Sequence, residues 1–105
     1  MAVPLKTLRV LGRNYRIEVN PSRVDDDELD ERPRVGVAAH RRGLIRIDGT
    51  LDGDYQLEVL LHEVIHCADI AIKSGLKEKQ VMRLGRALFS ILRDNAKFVR
   101  LFLVG

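Results

Sequence analysis

The sequence has few of the features that mark secreted or membrane-spanning proteins. Its one cysteine, Cys67, has no partner for a disulfide within the chain, so nothing requires an oxidising compartment. No apolar run approaches the roughly 18 residues that span a bilayer, and the N-terminus lacks the long apolar stretch of a signal peptide. We therefore expect a cytoplasmic protein with no membrane partner.

Internal repeats, low-complexity tracts and interdomain linkers are also missing. The chain has 105 residues, of which 46% are hydrophobic and 31% are charged, and this predicts one domain over 1–105 with one modest core. The net charge of +3 is too small to indicate nucleic-acid binding by itself. Its distribution is uneven, because residues 25–31 are acidic whereas residues 70–105 carry eight Lys or Arg against two acidic residues.

Alternating apolar and polar residues in the first half of the chain predict two β-hairpins. The first spans 7–19 with a turn at Gly12-Arg13-Asn14, and the second spans 34–48 with a turn at Arg41-Arg42-Gly43. Residues 21–33 contain two prolines and the acidic run, which predicts an exposed loop.

A helix is predicted from about 54 to 73, after a cap at Asp52 or Asp54. It is apolar nearly all round, which predicts burial on most sides, and Gly75 suits a left-handed cap beyond its end.

A second, amphipathic helix is predicted from about 77 to 94, with Gly85 allowing a neighbouring element to approach closely. The side chains expected to face the core are those of Val81, Leu84, Leu88, Ile91 and Leu92. Residues 95–105 fit either a short helix or a final strand. The predicted fold is thus α+β, with a small antiparallel sheet formed by two hairpins and followed by two packed helices.

The first predicted helix contains His62-Glu63-Val64-Ile65-His66, an HExxH motif. Residues four apart on a helix share one face, about 6 Å apart along its axis, so both imidazoles can reach one metal ion. Glu63 then projects beside the remaining metal position, where it can take a proton from bound water. The motif therefore predicts a Zn²⁺ site with His62 and His66 as ligands and Glu63 as the general base of a peptidase.

The alternative is that both histidines lie at the edge of the core and pair with carboxylates such as Glu58 or Asp69. Burying two imidazoles and a carboxylate costs several kcal/mol unless they find partners. A metal ion supplies such a partner, so the apolar surroundings favour the metal site.

Glu78 is the predicted third ligand, since it opens the second helix. In a simple antiparallel helix pair it would lie roughly 9 Å along the axis from the level of His66. Binding therefore requires a steep crossing or a first helix that ends before Lys73. Asp69 and His40 are the competitors, although Asp69 fits better as a group that orients a histidine and His40 as a solvent-facing side chain.

Other residues have weaker claims to function. Cys67 is expected to be a small buried hydrophobe, and Tyr15 and Tyr55, which could stabilise an oxyanion, are expected to serve in packing. The apolar tail at 98–105 is a candidate cover for the cleft. A basic stripe is formed at helical spacing by Lys79, Arg83, Arg86, Ser90, Arg93 and Lys97. This stripe is either the solvated face of the helix or an electrostatic footprint for nucleic acid or an acidic partner.

The stretch LLHEVIHCADI…GLKEKQV…LRDN resembles small phage-encoded HExxH zinc peptidase-like proteins and, more broadly, the minimal gluzincins and ImmA/IrrE-like peptidases. LGRNYRIEV and GLIRID resemble the sheet that precedes the active-site helix in those families. The resemblance implies zinc, a peptide or protein substrate, and an intracellular location in a phage-infected cell. It matches His62 and His66 to the ligands, Glu63 to the base and Glu78 to the glutamate of the next helix. It also implies that the strand at 44–47 holds an extended peptide by β-addition.

The sequence departs from these families around Glu78, where Lys77 and Lys79 replace the more acidic surroundings of related sequences. Two other functions remain open. One is a non-catalytic interaction protein whose core is stapled by zinc, and the other is a nucleic-acid-binding module that uses the basic stripe.

Overall fold

The computed structural model of the protein describes residues 3–20 and 35–103, and it has the α+β architecture that the sequence predicts. The strands are β1 (Thr7–Val10), β2 (Arg13–Asn20), β3 (Gly36–Ala39) and β4 (Leu44–Asp48). The helices are α1 (Gly53–Ile72), α2 (Glu78–Asp94) and α3 (Ala96–Leu101), with a 3₁₀ turn at His40–Arg42. The predicted acidic loop at 21–33 lies outside the described residues.

The first hairpin closes through a two-residue turn. Val10 pairs with Arg13, which leaves Leu11 and Gly12 as the turn, with φ values of 48° and 85°. Two central residues with positive φ match the type I′ turn that the twist of a tight hairpin favours. The turn therefore comes slightly earlier than predicted, and Arg13 already belongs to β2.

The second hairpin joins β3 to β4 through the predicted turn. The 3₁₀ turn at His40–Arg42 is followed by Gly43 in the left-handed conformation, with φ 61°. Glycine adopts this conformation without the steric cost that other residues carry. The chain then reverses, and Ala39 pairs with Leu44.

The two hairpins join through a parallel pair, so the strand order is β1-β2-β4-β3. Arg16 of β2 is level with Leu44 of β4, and Asn20 is level with Asp48. Each hairpin is antiparallel as predicted, but the sheet as a whole is mixed. Alternation along a strand defines its buried face and does not determine which edges pair, so the sequence pattern could not show this.

Helix α1 packs on the sheet and forms the core with it. The Asp52 carboxylate accepts a hydrogen bond from the Tyr55 backbone N–H at 2.9 Å and caps the helix, so Asp52 is the cap of the two predicted candidates. The buried core consists of Val3, Val10, Tyr15, Ile17, Ile45, Ile47, Val59, Leu60 and Cys67. No residue of α1 from Gln56 to Asp69 is exposed, as predicted, and its exposed residues, which include Ile70 and Ile72, lie at the two ends of the helix.

Helix α2 packs on α1 along a narrower strip than its sequence predicts. Val81 is fully buried and Gly85 is buried, in agreement with the prediction. The other four residues expected in the core are 38–46% exposed, and they are Leu84, Leu88, Ile91 and Leu92. The apolar face of α2 is therefore wider than its contact with α1, and part of that face remains at the surface.

The segment after α2 forms a helix, α3, which settles the choice that the sequence left open. Within the described part of the chain, no helix combines the length and apolar character needed to cross a membrane.

Candidate metal centre

Three of the predicted site residues converge at one point between α1 and α2. The Nε2 atom of His62 lies 2.7 Å from one carboxylate oxygen of Glu78, and the Nε2 atom of His66 lies 2.8 Å from the other. One ligand atom from each residue falls within 4.8 Å of the others. The rings of His62 and His66 are 4.9 Å apart, as their spacing of one helical turn predicts.

The connection between the helices brings Glu78 to the histidines. Helix α1 ends at Ile72, and Lys73 then adopts the left-handed conformation with φ 54°. Gly75 is also left-handed, and Lys77 is extended immediately before α2 begins. The first helix therefore ends before Lys73, which is one of the two conditions that binding by Glu78 required.

Asp69 fixes this connection. One of its carboxylate oxygens accepts hydrogen bonds from the Ser74 hydroxyl and, at 3.0 Å, from the Leu76 backbone N–H. The pKa of Asp69 is lowered, first by the Leu76 N–H and then by the Ser74 hydroxyl, with smaller effects that include the charge of His66. Asp69 was predicted to orient a histidine. In the structure its carboxylate instead holds the turn that places Glu78. The sequence signal for this role was an acidic residue five positions before the turn at Ser74-Gly75.

Glu63 lies on the sheet-facing side of α1, and it is 7% exposed. A Cβ atom added at Gly36 would lie 3.3 Å from Glu63 Oε2 and 2.5 Å from Val59 Cγ1. Strand β3 can therefore approach the motif helix at this level only because residue 36 has no side chain. The importance of Gly36 was missed from the sequence, although a glycine inside a strand signals such close approach.

Gly85 lets the backbone of α2 lie close to α1, as predicted. A Cβ atom there would lie 3.7 Å from the His62 Cα and from Ile65 Cδ1, which is ordinary van der Waals contact. The backbone of α2 thus passes close to the first histidine of the motif.

The donor set of His62, His66 and Glu78 fits a zinc ion. Two imidazole nitrogens and one carboxylate form a known ligand set of catalytic zinc sites, with bonds of about 2.0–2.2 Å and a fourth position left for water. Both rings point at the Glu78 carboxylate. The alternative required each ring to pair with a carboxylate such as Glu58 or Asp69, and they do not. The Glu78 side chain is 67% exposed, so no packing opposes the small withdrawal that admits an ion.

His40 and Tyr15 bond to each other and do not belong to the group formed by His62, His66 and Glu78. His40 was expected to face solvent, but it is half-buried and its Nδ1 shares a 2.5 Å hydrogen bond with the Tyr15 hydroxyl. Burial, followed by hydrogen bonding with Cys67, raises the pKa of Tyr15 to about 12. Tyr15 is 1% exposed and its hydroxyl is bonded to His40, so it serves in packing as expected, and Cys67 is the buried small residue that was expected. Tyr55 is exposed on the first turn of α1.

The tail and the basic stripe lie away from these contacts. In the described part of the tail, Phe98, Leu101, Phe102 and Leu103 are 50–76% exposed and Val99 is half-buried. The four exposed residues do not form the predicted cover. The cationic side chains of the stripe are exposed, as a solvated face requires. Among them, Arg93 bonds to the Asp54 carboxylate and lies over the Phe89 ring.

The predicted peptide-binding strand lies inside the sheet. β4 pairs with β2 on one side and with β3 on the other, so its backbone has no edge to offer. The prediction of β-addition at 44–47 is therefore wrong, because it was made without knowledge of the strand order. Among the strands that the structure describes, the edges are β1 and β3.

The structure thus unites His62, His66 and Glu78 and leaves His40 and Asp69 out of this group. Glu63 follows His62 on the motif helix and lies toward β3. Comparisons of the chain with protein-family models, with curated proteins and with solved structures found no match. Any function must therefore be inferred from the chemistry of this centre.

Proposed function

We propose that the protein is a zinc-dependent peptidase whose metal is held by His62, His66 and Glu78. The observation that carries the proposal is the convergence of both Nε2 atoms on the Glu78 carboxylate, at 2.7 and 2.8 Å. Glu78 comes from a different helix, so this convergence does not follow from the spacing of the motif. The resemblance of the HExxH region to small phage-encoded peptidases supports the same chemistry.

The proposed zinc site and Glu63 have separate roles in catalysis. A zinc ion held here would supply a Lewis acid that polarises the scissile carbonyl and lowers the pKa of a bound water. Glu63 would be the proton acceptor for the water that attacks the carbonyl carbon, and it would return that proton to the amine nitrogen when the carbon–nitrogen bond breaks.

The edge of β3 is the proposed binding position for an extended substrate. β3 is an edge strand of the described sheet, and Gly36 brings it against Glu63. A peptide added to this edge would make backbone hydrogen bonds beside the proton acceptor. We infer that the substrate is a peptide or an unfolded protein segment within the cell, since the single, buried cysteine requires no oxidising compartment.

Substitution of Glu63 tests the catalytic role. We expect Glu63→Gln to keep its zinc and its fold while peptide cleavage falls by about 10²–10⁴-fold, as is usual when a general base is lost. The assay uses a peptide library and an unfolded protein. Glu58→Gln, on the same helix, is the matched control and should remain active.

Metal content separates a peptidase from a zinc-stapled interaction protein. Elemental analysis should find one zinc per wild-type chain and a loss of that zinc in His62→Ala. Zinc in both the wild type and Glu63→Gln, with no cleavage by either, would favour the staple. A wild-type protein without metal would contradict both proposals.

A further inference from the structure

The turns of both hairpins lie side by side at one end of the sheet. Arg16 of β2 is level with Leu44 of β4, so the start of β2, after the first turn, adjoins the start of β4, after the second. The Arg13 guanidinium donates a hydrogen bond to the Arg41 carbonyl oxygen at 3.2 Å. The Arg16 backbone N–H donates to the Gly43 carbonyl oxygen at 2.8 Å. These bonds join the two turns into one surface.

Five exposed arginines gather on this surface. They are Arg9, Arg13, Arg16, Arg41 and Arg42, and we call them the arginine cluster. Arg9 is opposite Asn14 in the first hairpin, so Arg16 is its diagonal neighbour, at roughly 7–8 Å. Like charges within a Debye length of about 8–10 Å repel each other. An anion that binds between these side chains would relieve that repulsion.

The cluster is not neutralised by carboxylates of its own hairpins. Residues 1–17 and 34–47, which include all five arginines, contain no aspartate or glutamate. Between described residues, the ion pairs of arginine join Arg46 to Glu18 and Arg93 to Asp54, and neither pair involves the cluster. The five charges are therefore available to a partner of opposite charge.

The choice of arginine over lysine favours phosphate as that partner. The cluster contains no lysine, whereas residues 73–100 contain four lysines and four arginines. Either cation keeps a surface hydrated, but only the planar guanidinium donates two parallel hydrogen bonds to one phosphate. Arg13 is also held in place by the Arg41 carbonyl and by the face of the Tyr15 ring, 5.5 Å from its guanidinium. A side chain that is ordered in advance loses less conformational entropy on binding.

We propose that the arginine cluster binds the phosphate backbone of double-stranded DNA. Duplex DNA carries one negative charge per about 1.7 Å of its axis. The four strand ends, about 4.8 Å apart, spread the cluster over about 14 Å, so several phosphates fall within its reach. A folded acidic protein fits less well, because the surface of a folded protein mixes charges of both signs.

A single strand also fits less well than a duplex. Proteins that bind single strands stack the bases on exposed aromatic rings. The aromatic side chains of the described hairpins are Tyr15, which is buried, and His40, which is half-buried. The proposed DNA binding does not depend on the proposed peptidase activity.

The salt dependence of binding tests the proposal. Fluorescence anisotropy with a DNA duplex of about 20 base pairs should give a plot of log association constant against log salt with a slope of about −4 to −5, since each of five phosphate contacts contributes about −0.9. Arg41→Gln combined with Arg42→Gln should make the slope shallower by about 2. The same pair should weaken binding by about 10–100-fold at about 0.1 M salt.

The matched control is Arg83→Gln combined with Arg86→Gln, which removes the same charge from exposed positions of α2. This variant should bind DNA as the wild type does, and circular dichroism should show equal helicity in all three proteins. Equal weakening by both pairs would attribute the binding to net charge. A loss only in the α2 pair would attribute it to the basic stripe, and either result would overturn the proposal.

Other polyanions test the proposed occupant. The DNA duplex should bind more tightly than one of its single strands or an RNA duplex of the same sequence. Polyglutamate at an equal concentration of charge should not displace the DNA. Tighter binding of the single strand or of RNA, displacement by polyglutamate, or no binding of duplex DNA at low salt would overturn the proposal.

Discussion

The sheet with α1 and the pair of helices that follows it differ sharply in packing. Ile45, Ile47 and Cys67 of the first region have no exposed surface, and burial of each such isoleucine stabilises the fold by about 1.5–3 kcal/mol. In the second region, α2 and α3, Val81 and Gly85 are the only described residues that are buried. We therefore expect substitutions to lower the free energy of unfolding more in the first region than in the second.

The proposed metal centre lies across the boundary between these regions. Its histidines and Glu63 stand on α1, in the packed region, whereas Glu78 begins α2 and is mostly exposed. The packed region thus holds two of the proposed ligands and the proposed base, and the position of the third proposed ligand depends on the turn held by Asp69. Three predictions probe this contrast.

The largest effect is expected at a glycine of the packed region. Gly36→Ala would place Cβ 2.5 Å from Val59 Cγ1, so the helix or the strand must shift, and we expect a loss of about 3 kcal/mol in the free energy of unfolding. Gly85→Ala, at the boundary, meets only ordinary contacts and gains helix propensity, so its stability should stay within about 1 kcal/mol of the wild type. Urea unfolding measures both, and equal losses would show that the two regions are packed alike.

The second effect concerns alkaline pH. The pKa of Tyr15 rises from 10.0 to about 12 on folding, so its stabilisation is complete below pH 10 and is lost as the pH rises from about 10 to about 12. The loss should reach about 2–3 kcal/mol in urea unfolding. Burial also raises the pKa of Cys67, with the same sign, so a Cys67→Ala background isolates the effect of Tyr15. The loss in that background should be smaller than in the wild type, because Cys67 itself helps to raise the pKa of Tyr15.

Tyr15→Phe in that background is the control, and its stability should fall less over the same pH range. An equal fall in stability in both proteins would show that a group other than Tyr15 titrates. The second region contains no tyrosine, so this alkaline weakening belongs to the packed region alone.

The smallest effect is expected at the turn between the regions. Asp69→Ala removes the acceptor for Ser74 and Leu76, and we expect zinc affinity to fall about tenfold while the fold persists. Competition with a chelator measures the affinity. Asp54→Ala is the matched control, since it breaks only the exposed pair with Arg93 at the far end of the helices and should leave zinc affinity unchanged.

The sequence predicted the features that depend on local spacing. Both hairpins, a cap at Asp52 and the shared helix face of His62 and His66 follow from intervals of a few residues, and the structure contains them. Glu78 was also predicted, but from its place at the start of a helix, and its approach required a turn that the sequence did not reveal.

The features that were not predicted depend on contacts between distant segments. The parallel pairing of β2 with β4, the contact of Gly36 with the motif helix and the half-buried His40 each join residues far apart in the chain. The exposed face of α2 was predicted as core for the same reason. Amphipathic spacing shows that a face is apolar, but it does not show whether this chain or another covers it.

The parallel strand pair also has a consequence for the order of folding. Each hairpin closes over a few residues, whereas Glu18 and Arg46, level with each other in β2 and β4, are 28 positions apart. Loop-closure entropy rises with the length of the closed segment, so the hairpins can form early and their union comes later. We therefore expect the pairing of β2 with β4 to form later than either hairpin and to limit the rate at which the native sheet appears.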